Sequence, residues 1–331
     1  MTSRPPGSPL GLRLRPMTPA DGVVVTDLFT ALEAADRTEE RYVLADVLEE
    51  LDNPMTGPED WVLAEVDGEV VATSRLLPRA PEADSLAVGI DGGVHPDHRR
   101  RGIGQVLLGH MVERARAHVA ERGSDLRPVV TAAAPSDQPG VPELYAAHGL
   151  HPHRWTFVMA ADLATPPQDV ALPEGYALST WEDVDHEELR AAHNVAFVGH
   201  PGWSPWSQEM WRQWISESRS FRPALSLLLR APDGGIAAYV QANEYDAVAE
   251  QTDRRETYLV KVGTLPDHRR RGLADVLLRR ALRLHAAAGC ERSGLDVDSE
   301  NPSGALAVYE RVGFSVTRRW TDYLLQDPAH P

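Results

Sequence analysis

The feature that most constrains this chain is a long internal repeat. At an offset of 170 residues, the segments 96–102 and 266–272 are identical at seven consecutive positions. Further along, the segment 144–150 matches 308–314 at an offset of 164 residues. Solenoid repeats are much shorter, roughly 20–50 residues, so a period of this length is typical of a duplicated domain. The chain is therefore expected to hold two copies of one fold.

The length and composition agree with two globular domains. At roughly 100–200 residues per domain, the 331 residues suggest two of them. No apolar run approaches the roughly 18 residues that a membrane helix needs, and residues 1–17 lack the apolar block of a signal peptide. The formal net charge of −16 opposes binding to nucleic acid or anionic lipid and favours a cationic partner. We expect a cytoplasmic protein without membrane or nucleic-acid partners.

Composition also places a linker between the two copies. The segment 162–175 contains Pro166, Pro167 and Pro173, which is typical of a connection between domains. We therefore predict a disordered tail at 1–10, an N-terminal domain at 11–161, the linker at 162–175 and a C-terminal domain at 176–327.

Residue patterns predict the same elements in both copies. Strands are expected at 61–65, 70–77 and 85–89 in the first copy, and at 225–229, 236–243 and 257–262 in the second. Apolar residues at helical spacing follow each arginine triplet, from Ile103 in the first copy and from Leu273 in the second. The fold class is therefore α/β, with a strand, a glycine-containing turn and a helix at the centre of each copy.

The turn between that strand and helix carries the pattern Arg-x-x-Gly-x-Gly/Ala. Free backbone N–H groups at the start of a helix bind anions, and glycine permits close approach. The pattern is not a Walker loop, because no Gly-Lys-Ser/Thr follows, and it lacks the third glycine of a dinucleotide turn. The alternative is a solvated basic turn, although its recurrence at the same place favours anion binding.

Together with Asn301 and the ending Tyr309-x-x-x-Gly313-Phe314, this junction resembles that of the GNAT N-acetyltransferases. The resemblance covers nearly the whole chain, twice. It implies tandem domains, each with a mixed, mostly antiparallel sheet flanked by helices. It also implies acetyl-CoA as co-substrate, with no metal. In that family the loop amides hold the pyrophosphate, and the preceding strand pairs with the pantetheine arm.

The resemblance assigns cofactor-binding residues in both copies. In the second copy they are Val262, Gly263, Thr264, Arg269, Arg270, Arg271, Gly272, Leu273, Ala274 and Asn301. In the first copy they are Val94, Arg99, Arg101, Gly102 and Gly104.

Acetyl transfer to an amine needs a base for the amine and an acid for the departing thiolate. By the resemblance, Tyr309 is the general acid; the alternative is an aromatic packed under the last strand. The position at which the family often places a carboxylate is Tyr258, so Glu256, two residues earlier on the same strand face, is the candidate base. The alternative for Glu256 is a solvated hairpin residue. The ungapped comparison matches Leu86 and Val88 to these positions, and predicts a degenerate or structural N-terminal domain.

Acceptor-binding residues are expected near the second copy. The segment 194–203 resembles a loop of the mycothiol synthases, a tandem GNAT family whose C-terminal domain is active. His200, Trp203, Tyr258 and Asp298 are the substrate candidates; Asp298 has the alternative of an edge-strand residue. The predicted function is an acyltransferase moving acetyl from acetyl-CoA to a primary amine of a small, cationic molecule, in the C-terminal domain of a monomer or homodimer. The alternatives are an inactive CoA-binding or assembly protein, or mycothiol synthase itself.

Overall fold

The computed structural model describes residues 11–79, 84–123, 125–199, 203–301 and 304–325. The first copy contains, in chain order, β1 (Leu12–Pro16), α1 (Gly22–Asp36), α2 (Leu44–Leu51), β2 (Trp61–Val66), β3 (Glu69–Pro78), β4 (Ser85–Val94), α3 (Ile103–Arg122), β5 (Arg127–Pro135), α4 (Val141–Ala146) and β6 (Leu150–Asp162). The second contains β7 (Ala177–Thr180), α5 (His186–Ala196), α6 (Gln208–Trp211), β8 (Leu227–Arg230), β9 (Ile236–Asn243), α7 (Asp246–Thr252), β10 (Glu256–Thr264), α8 (Leu273–Ala287), β11 (Arg292–Asp298), α9 (Ala305–Val312) and β12 (Ser315–Leu325). The tail predicted at 1–10 lies outside the described residues.

The chain forms two compact units. Unit 1 comprises Met1–Arg154 and Trp320–Pro331, and unit 2 comprises Trp155–Arg319. In each, one pair of strands is parallel, β4 with β5 and β10 with β11, and the neighbouring pairs are antiparallel. The predicted α/β class with mixed, mostly antiparallel sheets is therefore confirmed.

The unit boundaries differ from the predicted domain boundaries because the last strand of each copy is exchanged. Residues 156–162 of β6 pair with β11 and so complete the sheet of unit 2. Residues 320–324 of β12 pair with β5 and complete the sheet of unit 1. Since the exchanged strands hold equivalent places in the repeat, comparing the copies does not reveal the exchange. Residues 163–175, predicted as a linker, lie in unit 2, where Arg280 pairs with Asp169 at 2.8 Å.

Helices cover both faces of each sheet. In unit 1, α3 packs on a core that includes Leu86 and Val88, whereas α1 packs near Trp61 and Leu63 on the other face. In unit 2, α8 packs on Leu259 and its neighbours, and α5 and α6 cover the face that carries Tyr239. Alternating side chains along each strand feed these two cores. The junction at the start of α3 or α8 is thereby fixed to the end of a central strand.

Candidate active site

The two strand-to-helix junctions have the same backbone conformation. Gly102 and Gly272, with φ of 80° and 75°, adopt the left-handed conformation immediately before α3 and α8. Two residues earlier, Arg100 and Arg270 are also left-handed, with φ of 61° and 60°. A glycine is needed where φ is positive and a ligand approaches the backbone. Each junction therefore presents the first N–H groups of a helix, an arrangement that binds phosphate groups.

The first arginine of each triplet binds the protein itself. Arg269 donates to the backbone carbonyls of Thr264, at 3.1 Å, and Ala196, at 2.8 Å. Arg99 donates to the carbonyl of Val94 at 3.0 Å. Those carbonyls lie at strand ends or a helix end, where a backbone acceptor needs another donor. In the structure, both side chains thus position the junction, and their predicted phosphate contact stays a prediction.

The second and third arginines are exposed. Arg101 donates to the carbonyl of Asp97 at 2.9 Å, and Arg271 donates to the hydroxyl of Tyr176 at 3.3 Å. Within the described part of the chain, Arg100 and Arg270 make no hydrogen bond. These exposed guanidinium groups give each junction a positive charge that would attract a phosphate.

The parallel strands separate before they reach the junction. The ladder between β4 and β5 extends to Ile90, which leaves the last four residues of β4 unpaired with β5. The ladder between β10 and β11 ends earlier, at Tyr258, which leaves six residues of β10. At about 3.3 Å per residue, the two notches are roughly 13 and 20 Å long. Unit 2 therefore has the longer free strand edge beside its junction.

A β-bulge corrects the comparison between the two copies. Tyr258 lies opposite Asn243, and Lys261 opposite Gln241, so β10 contains one extra residue, Val260, between them. In β4 the ladder is regular, and the residue in the place of Tyr258 is Gly89. The ungapped match of Leu86 and Val88 to Glu256 and Tyr258 was therefore wrong by one residue. Leu86 and Val88 are buried against α3, so they say nothing about catalysis in the first copy.

The same register brings Asp91 of β4 into the place that Lys261 has in β10. Asp91 lies opposite Arg75, as Lys261 lies opposite Gln241. Sequence reasoning missed Asp91 because the bulge hides the correspondence. The opposite charges of the two residues at one position of an otherwise matching strand were a signal in the sequence.

The structure places Glu256 away from the junction of unit 2. Glu256 is the first residue of β10, eight residues or roughly 26 Å of strand from Thr264. It pairs with Arg292 at 3.1 Å, between side chains that are both largely buried. Tyr258, on the same face, contacts Gly294 and lies 6.2 Å from the Tyr245 ring, between centroids. The predicted base and the junction thus lie at opposite ends of one strand.

Tyr309 lies on α9, in the core shared with α8. It is 8% exposed, and burial raises the pKa of its hydroxyl to about 12. The hydroxyl makes no hydrogen bond to any residue of the described segments. A phenol with this pKa is protonated at neutral pH and is able to donate its proton.

The other predicted residues of unit 2 occupy the ends of the notch and the α5 side. Asp298 ends β11, and its Oδ1 accepts a hydrogen bond from the Glu300 amide at 2.8 Å. Asn301 follows, with its backbone N–H donated to the carbonyl of Asp298 at 3.1 Å. The indole nitrogen of Trp203 is buried, without a partner among the described residues. His200 lies outside them.

Sequence reasoning also missed a buried pair beside Gly263. The Nδ1 atom of His193 is 2.8 Å from the hydroxyl of Tyr239, and both side chains are buried. The Tyr239 ring lies against Gly263, where a Cβ atom would be 2.4 Å from the ring. Burial, with a smaller effect of Lys261, lowers the pKa of His193 to about 3. A strand glycine in this motif was the signal for such a close approach.

Unit 1 contains a cavity of about 980 Å³ at its junction. This volume is near the upper end of the roughly 300–1,000 Å³ that small-molecule sites occupy. The lining combines the junction, the notch, α1 with the loop after it, and α4. Among the lining residues are Phe29, Leu32, Glu33, Asp36, Thr38, Glu40, Tyr42, Asp91, Gly92, Gly93, Val94, Arg99, Arg100, Gly102, Gly104 and Tyr145. The first copy thus retains a site of cofactor size.

The described residues contain neither a bilayer-spanning helix nor a metal cluster. No described helix is long and apolar enough to cross a membrane. No group of three or more His, Cys, Asp or Glu side chains in the described segments is arranged to hold a metal ion.

Comparisons with known proteins agree with this geometry. The family model for the acetyltransferase (GNAT) family matches residues 26–133 and 181–314. The mycothiol acetyltransferase of Clavibacter michiganensis subsp. michiganensis is 30% identical over 262 residues, which is 76% of this chain and 79% of that protein. The mycothiol acetyltransferase of Kineococcus radiotolerans is 33% identical over 258 residues, 75% of this chain and 76% of that protein.

A solved structure shares the fold over nearly the whole length. The GCN5-related N-acetyltransferase from Sphaerobacter thermophilus superposes with a TM-score of 0.74 and 26% identity, covering 96% of both chains. Two family regions, one in each half of the chain, account for the internal repeat of 170 residues. The chain is an acetyltransferase that belongs to the GNAT family.

Proposed function

We propose that the chain transfers the acetyl group of acetyl-CoA to a primary amine of a small molecule, in unit 2. The observation that carries this proposal is the notch of unit 2. Six residues of β10 have no partner on β11, and the notch ends at a left-handed glycine and the first turn of α8. A free strand edge suits the amide groups of a pantetheine arm, and the helix start suits a pyrophosphate.

The chemistry needs one proton removed and one supplied. The amine nitrogen attacks the thioester carbonyl carbon, the carbon–sulfur bond breaks, and the acetyl group becomes an amide. Tyr309 would give its proton to the departing sulfur, which its high pKa and its hydroxyl without an internal hydrogen bond support. Glu256 remains the proposed base, acting through water, since its carboxylate and Tyr258 share a strand face.

The acceptor is proposed to be a small cationic amine. The net charge of −16 favours a cationic partner. Asp296 and Asp298 share the face of β11 onto which Tyr258 packs. The curated relatives are mycothiol acetyltransferases, which makes the amine precursor of mycothiol one acceptor to test alongside polyamines and amine-bearing antibiotics.

The test offers such a panel of amines with acetyl-CoA and measures free CoA and acetylated product. Gly272→Val would block phosphate approach at the junction, where no protein atom lies within 4 Å of an added Cβ. Gly234→Val is the matched control, because Gly234 also has positive φ and open surroundings. We expect at least a tenfold loss of turnover with Gly272→Val beyond any loss with the control. Acetyl-CoA binding without transfer to any amine would favour the CoA-binding alternative.

A further inference from the structure

The cavity of unit 1 joins two chemically different regions. At one end it is lined by the junction, with Arg99 and Arg100; at the other it is lined by α1 and the loop after it, with Glu33 and Glu40. The notch between β4 and β5 lies between them. The cavity therefore has the extent of a site for a phosphate-bearing co-substrate together with a second molecule beyond the notch.

One carboxylate points into this cavity from the notch. Asp91 is the first residue of β4 beyond the ladder with β5. Its Oδ2 atom accepts a hydrogen bond from Arg75 at 2.9 Å, and its side chain is 34% exposed. In the described part of the chain, Oδ1 makes no hydrogen bond. One oxygen of Asp91 is thus anchored, and the other is available to a ligand.

The anchor of Asp91 is rigid. The Arg75 side chain is 7% exposed, donates to the hydroxyl of Tyr42 at 2.8 Å and pairs with Glu50. Its guanidinium also lies 5.1 to 5.4 Å from the ring centroids of Trp61, Phe29 and Tyr42. A planar guanidinium held by hydrogen bonds and aromatic faces is well fixed. The position of the Asp91 carboxylate is fixed with it.

A phenol lines the same cavity across the notch. Tyr145 lies on α4, and its hydroxyl donates to the carbonyl of Ala133 over a long 3.3 Å. The ring contacts Tyr323, with centroids 4.8 Å apart. Burial, with a smaller contribution from Asp91, raises the pKa of Tyr145, so its hydroxyl is protonated at neutral pH. The long hydrogen bond leaves this proton able to turn toward a ligand.

We infer that unit 1 is a second acetyl-transfer centre, in which Asp91 is the base, Tyr145 the acid and a small diamine or polyamine the acceptor. The acceptor nitrogen attacks the thioester carbonyl carbon and gives a proton to Oδ1 of Asp91. The carbon–sulfur bond breaks, and Tyr145 gives its proton to the sulfur. The proton on Asp91 then passes through solvent, which restores Tyr145. The products are an amide and free CoA, as in any acetyl transfer.

The lining of the cavity favours a second positive charge on the acceptor. Glu33 and Glu40 line the wall beyond Asp91, together with the aromatic faces of Phe29 and Tyr42. Carboxylates and aromatic faces both attract ammonium groups. A diamine can therefore present one neutral nitrogen to the thioester while its other nitrogen stays charged. A monoamine lacks this second interaction.

The experiment removes unit 2 first. In full-length Gly272→Val protein, acetyl transfer is measured with 1,4-diaminobutane and with butylamine as the matched monoamine. We expect transfer to persist, with kcat/KM at least tenfold higher for the diamine. Adding Asp91→Asn or Tyr145→Phe should lower kcat at least tenfold, with the acetyl-CoA dissociation constant unchanged. Asp97→Asn, on an 85% exposed carboxylate of the same loop, is the control.

Two results would overturn the inference: no transfer to any amine in the Gly272→Val background, or a residual rate that neither Asp91→Asn nor Tyr145→Phe lowers. Retained acetyl-CoA binding in calorimetry shows that each variant of unit 1 is folded. The inference shares acetyl-CoA with the proposed function but not its site. If Gly272→Val keeps the full rate with every acceptor, the assignment to unit 2 fails. If it loses every reaction, the second centre fails.

Discussion

Lowering the pH from 7 to 5 should destabilise unit 2 through His193. Burial lowers the pKa of this histidine from 6.5 to about 3, so the folded protein keeps it neutral while the unfolded chain takes up a proton. Stability therefore falls as the pH falls below 6.5, until the folded pKa is reached. At 1.36 kcal/mol per unit, the contribution lost by pH 5 is about 2 kcal/mol. His285, with a pKa lowered to about 4 by burial, adds a loss of similar size.

His193→Gln separates this effect from a general loss of packing. The variant loses the contacts of His193 with Phe197 and Trp206, so it should be less stable at pH 7 by about 1–3 kcal/mol. It has no proton to take up at this site, so the gap to the native protein should narrow toward pH 5. Hydrogen exchange of β9 peptides, corrected for the intrinsic effect of pH, reports the free energy of unfolding of unit 2. Parallel curves for the two proteins would refute the reasoning, and His151→Gln serves as an exposed control.

Three further variants test the sites. Gly272→Val should weaken acetyl-CoA binding at unit 2 at least tenfold, about 1.4 kcal/mol in calorimetry, whereas Gly234→Val should not. Tyr309→Phe should lower kcat of the unit 2 reaction, while Tyr145→Phe leaves that reaction unchanged; equal losses with one acceptor would contradict separate centres. Glu256→Gln should lower kcat by about 10²–10⁴ if this carboxylate is the base, and an effect below about threefold would exclude it. Thermal melting of the Glu256 variant controls for the lost pair with Arg292.

The repeat was enough to predict the fold class and both junctions. Seven identical residues at one offset fixed the strand, the turn and the helix in each copy, and the structure begins α3 and α8 directly after Gly102 and Gly272. These features are local, because a left-handed glycine and the helix after it depend on neighbouring residues. Motif-level reasoning therefore reached the family.

Features that depend on pairing between distant strands were not predictable. The exchange of β6 and β12 leaves the repeat pattern unchanged, so 161 and 176 appeared as domain boundaries. The bulge at Val260 shifts the copies by a single residue, which turned attention to Leu86 and Val88 instead of Asp91. A slip of one residue in a strand moves every side chain to the other face. The Arg75 anchor likewise combines residues from α2, β2 and β4 that no spacing connects.

The most direct test of the proposed site is hydrogen exchange with saturating acetyl-CoA. If acetyl-CoA lies along the notch of unit 2, backbone amides of Leu259–Thr264 and of the first turn of α8 become donors to the ligand. We predict slower exchange in peptides that cover both segments, and normal exchange there in Gly272→Val protein. Unchanged exchange of both segments in protein that turns over acetyl-CoA would contradict the assignment of acetyl transfer to unit 2.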